Sequence, residues 1–140
     1  MKIKFWLLAV LLSLVSVHAF AAEQVKHRLI LQVSDDSLER LMAALNAAKF
    51  VQDQYGAPNV EIEIVVFGPG VQTLKYYAPR PIPAIVKQEK YNGVRILVCD
   101  YSMRLAKLRP SDMLREISFV PSGIDEIMEK EQLGWVYIKP

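Results

Sequence analysis

Short continuous runs of apolar residues alternate along the chain with segments of helical periodicity. Five such runs predict β-strands, and the run of the first strand, Leu29 to Leu31, is of the kind found in sheets covered on both faces. The runs cover residues 25–33, 60–67, 94–99, 117–120 and 135–138. No pattern assigns a structure to residues 71–80.

Segments between the runs have the pattern of amphipathic helices. In the first, apolar residues recur at i, i+3, i+4 and i+7 and form one face: Leu38, Leu41, Met42 and Leu45. Asp36 with Glu39 fits a capping box before this helix, and Gly56 ends it. Two more helices are predicted over residues 85–91 and 101–108.

A last helix is predicted before the fifth strand, because Ser122 with Asp125 fits another capping box and Gly134 supplies a stop. The elements then alternate as β-α-β-α-β-α-β-α-β. A parallel crossover needs the length of a helix, so this order predicts an α/β fold. We expect a mostly parallel sheet of about five strands with helices on both faces. The length fits one domain over residues 22–140.

The first 21 residues have the order of a secretory signal peptide. Lys2 and Lys4 precede an apolar stretch over residues 5–17, and Ala19 and Ala21 provide small residues at the cleavage positions. The stretch of 13 residues is shorter than the roughly 20 that a helix needs to span a bilayer. We therefore expect cleavage after Ala21, a periplasmic or secreted protein, and no membrane anchor after cleavage.

Charge and cysteine content exclude several classes of function. Removal of the signal takes away Lys2 and Lys4 and leaves 15 basic and 15 acidic side chains. A neutral domain without a basic run lacks the attraction that dominates nucleic-acid binding. Cys99 is the single cysteine, so no internal disulfide can form. No cluster of residues has metal-ligand spacing, and neither a metal nor another cofactor is predicted.

Candidate functional residues follow from the predicted sheet. Ligands of open α/β sheets bind in the loops that follow the carboxyl ends of the strands. Three predicted loops occupy this position, and they supply the candidate binding residues: Asp35, Asp36, Gly68, Gly70, Asp100, Ser102 and Arg104. The third loop also contains the candidate nucleophile, Cys99.

Two interpretations of Cys99 stay open. Its place before a helix would stabilise a thiolate through the helix dipole and free N–H groups, and Arg104 and Lys107 would act in the same direction, whereas Asp100 opposes them. The alternative is a structural cysteine, because cysteine is among the most buried residue types. An unpaired thiol outside the cytoplasm favours reactivity, which leaves the two interpretations evenly balanced.

Other polar residues receive a structural interpretation. Glu61 and Glu63 fall on one face of the second strand and are predicted to be solvated residues at its start. His27 is predicted to lie at an edge or to have its hydrogen bonds satisfied, since a catalytic role needs partners that the sequence does not place beside it.

Several segments resemble those of the DsrE/DsrF-like family. They are residues 31–36 (LQVSDD), 43–49 (AALNAAK), 60–70 (VEIEIVVFGPG), 93–99 (GVRILVC) and 120–123 (VPSG). The closing segment, GWVYIKP, is similar to the ending of exported members without an assigned activity. The resemblance covers essentially the whole chain after the predicted signal.

The resemblance implies a three-layer α/β/α sandwich that assembles into homotrimers or hexamers. In its sulfur-carrying members, such as TusD and DsrE, a cysteine at the end of the third strand carries sulfur as a persulfide, and Cys99 has this position. The next residues, DYSM, differ from the Gly-Asn-Thr-Met that is typical of the exported group, and Asp100 makes an anion at Cys99 less stable.

Two functions are therefore expected as alternatives. The first is a periplasmic sulfur carrier or sulfurtransferase that acts through Cys99, with a sulfur-donor or acceptor protein as a partner. The second is a non-catalytic oligomeric binding or assembly module in which Cys99 is buried and structural.

Overall fold

The computed structural model describes residues 26–140, so the predicted signal peptide lies outside the described residues. Five strands are present: β1 (His27–Val33), β2 (Val60–Val66), β3 (Arg95–Cys99), β4 (Ser118–Val120) and β5 (Val136–Ile138). Four α-helices connect them: α1 (Leu38–Tyr55), α2 (Ile82–Tyr91), α3 (Asp100–Leu105) and α4 (Gly123–Gln132). Over the described part of the chain, no helix combines the length and apolar character that a membrane span requires.

The strands form one sheet in the order β4-β3-β2-β1-β5, and every neighbouring pair is parallel. This arrangement confirms the predicted α/β fold with a five-stranded sheet. Ile64 of β2 lies opposite Leu31 of β1 and Ile96 of β3, so these three side chains share one face of the sheet.

Helices cover both faces, which gives the three layers. The first face packs against α1 and α2 through buried apolar residues: Leu31, Ile64, Ile96, Leu41, Leu45 and Val86. The opposite face packs against α4 through a smaller cluster: Ile30, Val65, Leu97, Ile127 and Trp135. Burial on both faces explains the continuous apolar runs of the central strands β1, β2 and β3, whereas the edge strands β4 and β5 are largely exposed.

Two helices begin elsewhere than the sequence predicts. Ser37 is the N-cap of α1 and its hydroxyl accepts a hydrogen bond from Arg40 N–H at 3.3 Å, so the predicted capping box at Asp36 is wrong. Helix α2 begins at Ile82, three residues before the predicted start. Pro83 lies in its first turn, where a missing N–H breaks no helical hydrogen bond.

The segment without a sequence assignment packs into the first face of the sheet. It continues a 3₁₀ helix, Gly68–Leu74, in which Val71 and Leu74 are buried. Lys75 then forms an isolated antiparallel bridge with Met113. Tertiary packing, rather than periodicity, therefore determines its structure.

Glu63 is buried, and the prediction of a solvated residue is wrong for it. The side chain is 0% exposed, lies 3.1 Å from Lys130 Nζ and forms an ion pair with Arg95. Lys130 also lies over the ring of Trp135, 5.0 Å from its centroid. Glu61 keeps a partly exposed side chain, which lies 3.4 Å from Lys26 Nζ. The two glutamates differ because α4 and Arg95 cover only the second one.

Candidate functional site

Cys99 lies where β3 gives way to α3. It is the last residue of the strand and the N-cap of the helix. Its register opposite Val120 places its side chain on the same sheet face as Leu97, the face that α4 covers. The residue is buried, with 4% of its surface exposed.

Hydrogen-bond donors from two helix starts surround the sulfur. The N–H of Ser102 donates to Cys99 Sγ at 3.4 Å. The backbone N–H of Gly123, the first residue of α4, also acts on the thiol, whereas the N–H of Tyr101 donates to Pro121 O at 3.3 Å and acts on the sulfur only through its proximity. The hydroxyl of Ser102 accepts a hydrogen bond from Gly68 N–H at 2.8 Å, which leaves its proton to be donated to the sulfur.

These donors lower the pKa of the Cys99 thiol. Burial is the largest single influence and raises the pKa, because it disfavours the charged thiolate. The donors on the side chain and backbone of Ser102 and on the backbones of Gly123 and Tyr101 together outweigh burial, so the net change is downward. A thiolate is the nucleophilic form of cysteine, and the site therefore favours the reactive form.

A cavity lies next to this thiol. Its volume is about 480 Å³, and its wall is formed by residues from three segments: Asp36, Gly68, Pro69, Gln72, Ser102, Leu105 and Ala106. Ser102 belongs both to this wall and to the hydrogen bonds of Cys99, so it is in contact with both the cavity and the sulfur.

The structure brings together only some of the sequence-predicted site residues. Asp36, Gly68 and Ser102 line the cavity. Asp35 instead lies 3.8 Å from Lys139 Nζ. Gly70 is buried, and a Cβ at this position would lie 2.7 Å from Val33 O, so its role is to allow the close approach of two backbone segments.

Asp100 and Arg104 form an ion pair with each other one helical turn apart. The expectation from the sequence was that Arg104 would stabilise an anion at Cys99 and that Asp100 would oppose it. Since the guanidinium donates to Asp100 Oδ2, the charge of the neighbouring carboxylate is compensated within α3. The stabilisation of the thiolate comes from N–H and O–H donors instead.

Gly123 is the site residue that the functional reading of the sequence did not identify. From the sequence, the segment VPSG indicates a family resemblance and a helix cap at Ser122, but no contact with Cys99. Parallel strands end at one edge of the sheet, so the start of α4 after β4 belongs at the same edge as Cys99. The fourth strand–helix junction was therefore the signal for this residue.

Metal ligands are not assembled at this edge. Within residues 26–140, no group of three or more histidine, cysteine, aspartate and glutamate side chains could hold a metal ion.

A parallel α/β sheet with a cysteine at the end of its third strand defines the class of the protein. The chain belongs to the DsrE/DsrF-like family, whose model matches residues 27–140. No curated protein matches the sequence.

Solved structures share this fold. A protein of unknown function from Methanobacterium thermoautotrophicum, MTH1491, is 23% identical, with a TM-score of 0.75 over 82% of this chain and 100% of that one. The ychN protein from E. coli is 12% identical, with a TM-score of 0.63 over 82% and 99% of the two chains. A conserved protein of unknown function from Bacteroides thetaiotaomicron, BT1422, is 16% identical, with a TM-score of 0.61 over 85% and 99%. At these identities the likeness establishes the fold alone.

Proposed function

We propose that the protein carries sulfur as a persulfide on Cys99. Membership of the DsrE/DsrF-like family supports a role related to sulfur relay. The proposal that this role uses a persulfide on Cys99 depends on one observation: hydrogen-bond donors from the starts of α3 and α4 lower the pKa of the Cys99 thiol. The same donors would stabilise the negative charge of a bound persulfide.

The transfer step needs no cofactor. The Cys99 thiolate attacks the outer sulfur of a persulfide or polysulfide donor, and an S–S bond forms at Sγ. The S–S bond of the donor breaks, and its electron pair leaves with the donor thiolate. The sulfur atom moves between two thiolates, so no external oxidant or reductant is consumed.

Ser102 is the residue through which the cavity would communicate with Cys99. It both lines the cavity and donates to Sγ, and a change of its rotamer would expose Sγ to a donor in the cavity. Asp36, which also lines the cavity, would limit the approach of strongly anionic donors, since like charges repel. We therefore expect alkyl persulfides, which carry one negative charge, to load the protein faster than the dianions thiosulfate and inorganic polysulfide.

Loading with inorganic polysulfide and intact-mass measurement test this proposal. The wild-type protein is expected to gain the mass of one sulfur atom, and Cys99→Ser is expected to gain none. Ser102→Ala is expected to load more slowly at neutral pH, because loss of the hydroxyl donor raises the pKa of the thiol and lowers the thiolate fraction. Ser111→Ala, the same change on an exposed 3₁₀ helix, is the matched control and should load like wild type. An adduct that persists in Cys99→Ser, or its absence from wild type, would contradict the proposal.

One observation favours the second function, a binding or assembly module with a structural cysteine. Cys99 is 4% exposed, and its neighbours on the sheet face, Leu97 and Val65, belong to the buried cluster under α4. Reaction with a maleimide separates the two functions. A thiol that reacts only after denaturation would favour the module, whereas a thiol that reacts in the folded protein would favour the carrier.

Export and assembly complete the proposal. We propose that residues 1–21 direct the chain to the periplasm or outside the cell and that the domain then forms a homotrimer or homohexamer. The native mass of protein purified from its own compartment tests both statements. Cleavage after Ala21 and a mass of three or six copies are expected, and an uncleaved monomer at micromolar concentration would contradict them.

A further inference from the structure

Glu89 is a buried carboxylate that the thiol site does not use. It lies in the second half of α2 and is 2% exposed. Among residues 26–140, its Oε2 atom has no hydrogen-bond partner. The buried Glu63 differs, because Lys130 and Arg95 compensate its charge. Lys49 compensates the charge of Glu89 only in part, because it is exposed and paired with Asp53, so the buried carboxylate would gain from a further partner.

A cavity of about 460 Å³ lies beside Glu89, between the middle of α1 and the helix α2. Its wall combines apolar, amide and charged side chains: Leu45, Asn46, Lys49, Ile85, Gln88, Glu89 and Asn92. Amide oxygens and the carboxylate can accept hydrogen bonds, while Leu45 and Ile85 offer an apolar surface. The cavity is therefore suited to a ligand with a polar head and a short apolar chain.

The electrostatics of the cavity favour a cation. Helix α2 ends beside the cavity, where its C-cap Asn92 is part of the wall, so the negative end of its dipole lies in this region, and Lys90 in its last turn offsets part of that effect. Lys49, the cation in the wall, is exposed and donates to Asp53. Burial raises the pKa of Glu89, Asp53 adds to that effect, and Lys49 opposes it. A bound cation would relieve the cost of ionising Glu89.

We propose that the cleft between α1 and α2 binds a primary ammonium group on a short aliphatic chain, with Glu89 as its counter-ion. The three N–H donors of an ammonium match the carboxylate and the amide oxygens of Asn46 and Gln88, and the methylene chain packs on Leu45 and Ile85. The ammonium belongs to a free aliphatic amine or to a lysine side chain of another protein. The cleft lies beside the middle of α1 and the C-terminal end of α2, whereas Cys99 lies at the carboxyl end of the sheet.

Calorimetric titration of the purified protein with 1,5-diaminopentane tests the proposal. Wild type is expected to bind the diamine and not 1,5-pentanediol, its neutral analogue, at equal ionic strength. Glu89→Gln, which keeps the shape of the side chain, is expected to weaken binding about tenfold or more. Glu39→Gln removes the same charge from the exposed first turn of α1 and should bind like wild type. Equal affinity of wild type and Glu89→Gln, or no binding by wild type, would overturn the proposal.

Two further arms identify the source of the ammonium and the role of Lys49. The affinity of Nα-acetyl-lysine amide is compared with that of the diamine. Tighter binding of the lysine derivative would show that the cleft accepts a lysine side chain, and tighter binding of the diamine would show that it accepts a free amine. Lys49→Met removes a like charge and is expected to bind the diamine at least as tightly as wild type. Binding in Lys49→Met alone would mean that Lys49 itself serves Glu89, and this result would also overturn the proposal.

Discussion

Replacement of Lys130 by methionine is expected to lower the free energy of unfolding by about 3 kcal/mol at neutral pH. The ammonium lies 3.1 Å from Glu63 Oε1, and the Glu63 side chain is 0% exposed. Without Lys130 the buried carboxylate keeps only Arg95, whose side chain is 55% exposed and remains close to solvent. Urea unfolding at constant temperature measures the effect.

The double variant Glu63→Gln/Lys130→Met separates loss of charge compensation from loss of packing. Once both charges are removed, no buried charge remains at this position, and most of the lost stability is expected to return. Lys26→Met, which breaks the exposed ion pair with Glu61, should change stability little. A double variant as unstable as Lys130→Met would contradict the role assigned to the Glu63 charge.

The effect of Lys130→Met should also depend on pH. Burial raises the pKa of Glu63, and the hydrogen bond from Lys130 and the charges of Arg95 and Lys130 only partly offset this. Because the folded state then holds the proton to a higher pH than the unfolded state, stability falls as the pH rises through the range in which Glu63 ionises. Loss of Lys130 extends that range upward. The difference between variant and wild type should therefore shrink in acid and grow toward neutrality.

The second large effect is expected for Gly123→Ala, with a loss of about 2 kcal/mol from overpacking and slower loading of Cys99. A Cβ at Gly123 would lie 2.9 Å from Cβ and 3.1 Å from Cδ1 of Phe67. The start of α4 must therefore move away from the sheet. The Gly123 N–H moves with it, so one donor that lowers the pKa of the thiol is weakened.

Urea unfolding and the pH dependence of Cys99 alkylation measure the two consequences of Gly123→Ala. Gly93→Ala is the control, because a Cβ there meets no atom within 4 Å although φ is +92°. That variant should lose about 1 kcal/mol through backbone strain and leave the thiol pKa unchanged. An unchanged alkylation profile in Gly123→Ala would remove α4 from the description of the thiol site.

The fold was predictable because its central strands β1, β2 and β3 are buried on both faces. The apolar runs and the helical stripe of α1 reflect that burial directly, and their alternation predicts a parallel sheet. The order of the strands was not predictable, since apolar strands such as β1 and β3 are alike in pattern and only tertiary packing places β2 between them. Ser37 and Asp36 are both good helix caps, so the wrong choice between them follows from local chemistry alone.

The candidate site was predictable only in part. Cys99 and Ser102 follow from the rule that ligands bind at the carboxyl ends of parallel strands. The contribution of Gly123 depends on how closely α4 approaches the sheet, and the burial of Glu63 depends on Lys130, which lies far from it in sequence. Such long-range pairings have no periodic signal.

Helix α4 joins β4 and β5, which form opposite edges of the sheet, and therefore crosses the whole face between them. Its first residue supplies an N–H to the sulfur, and its second half supplies the lysine that covers Glu63. A tilt of this helix would move both contacts together. A molecule that binds to its exposed side chains Ile124 and Met128 would thus change the pKa of the thiol and the hydration of the buried carboxylate at the same time.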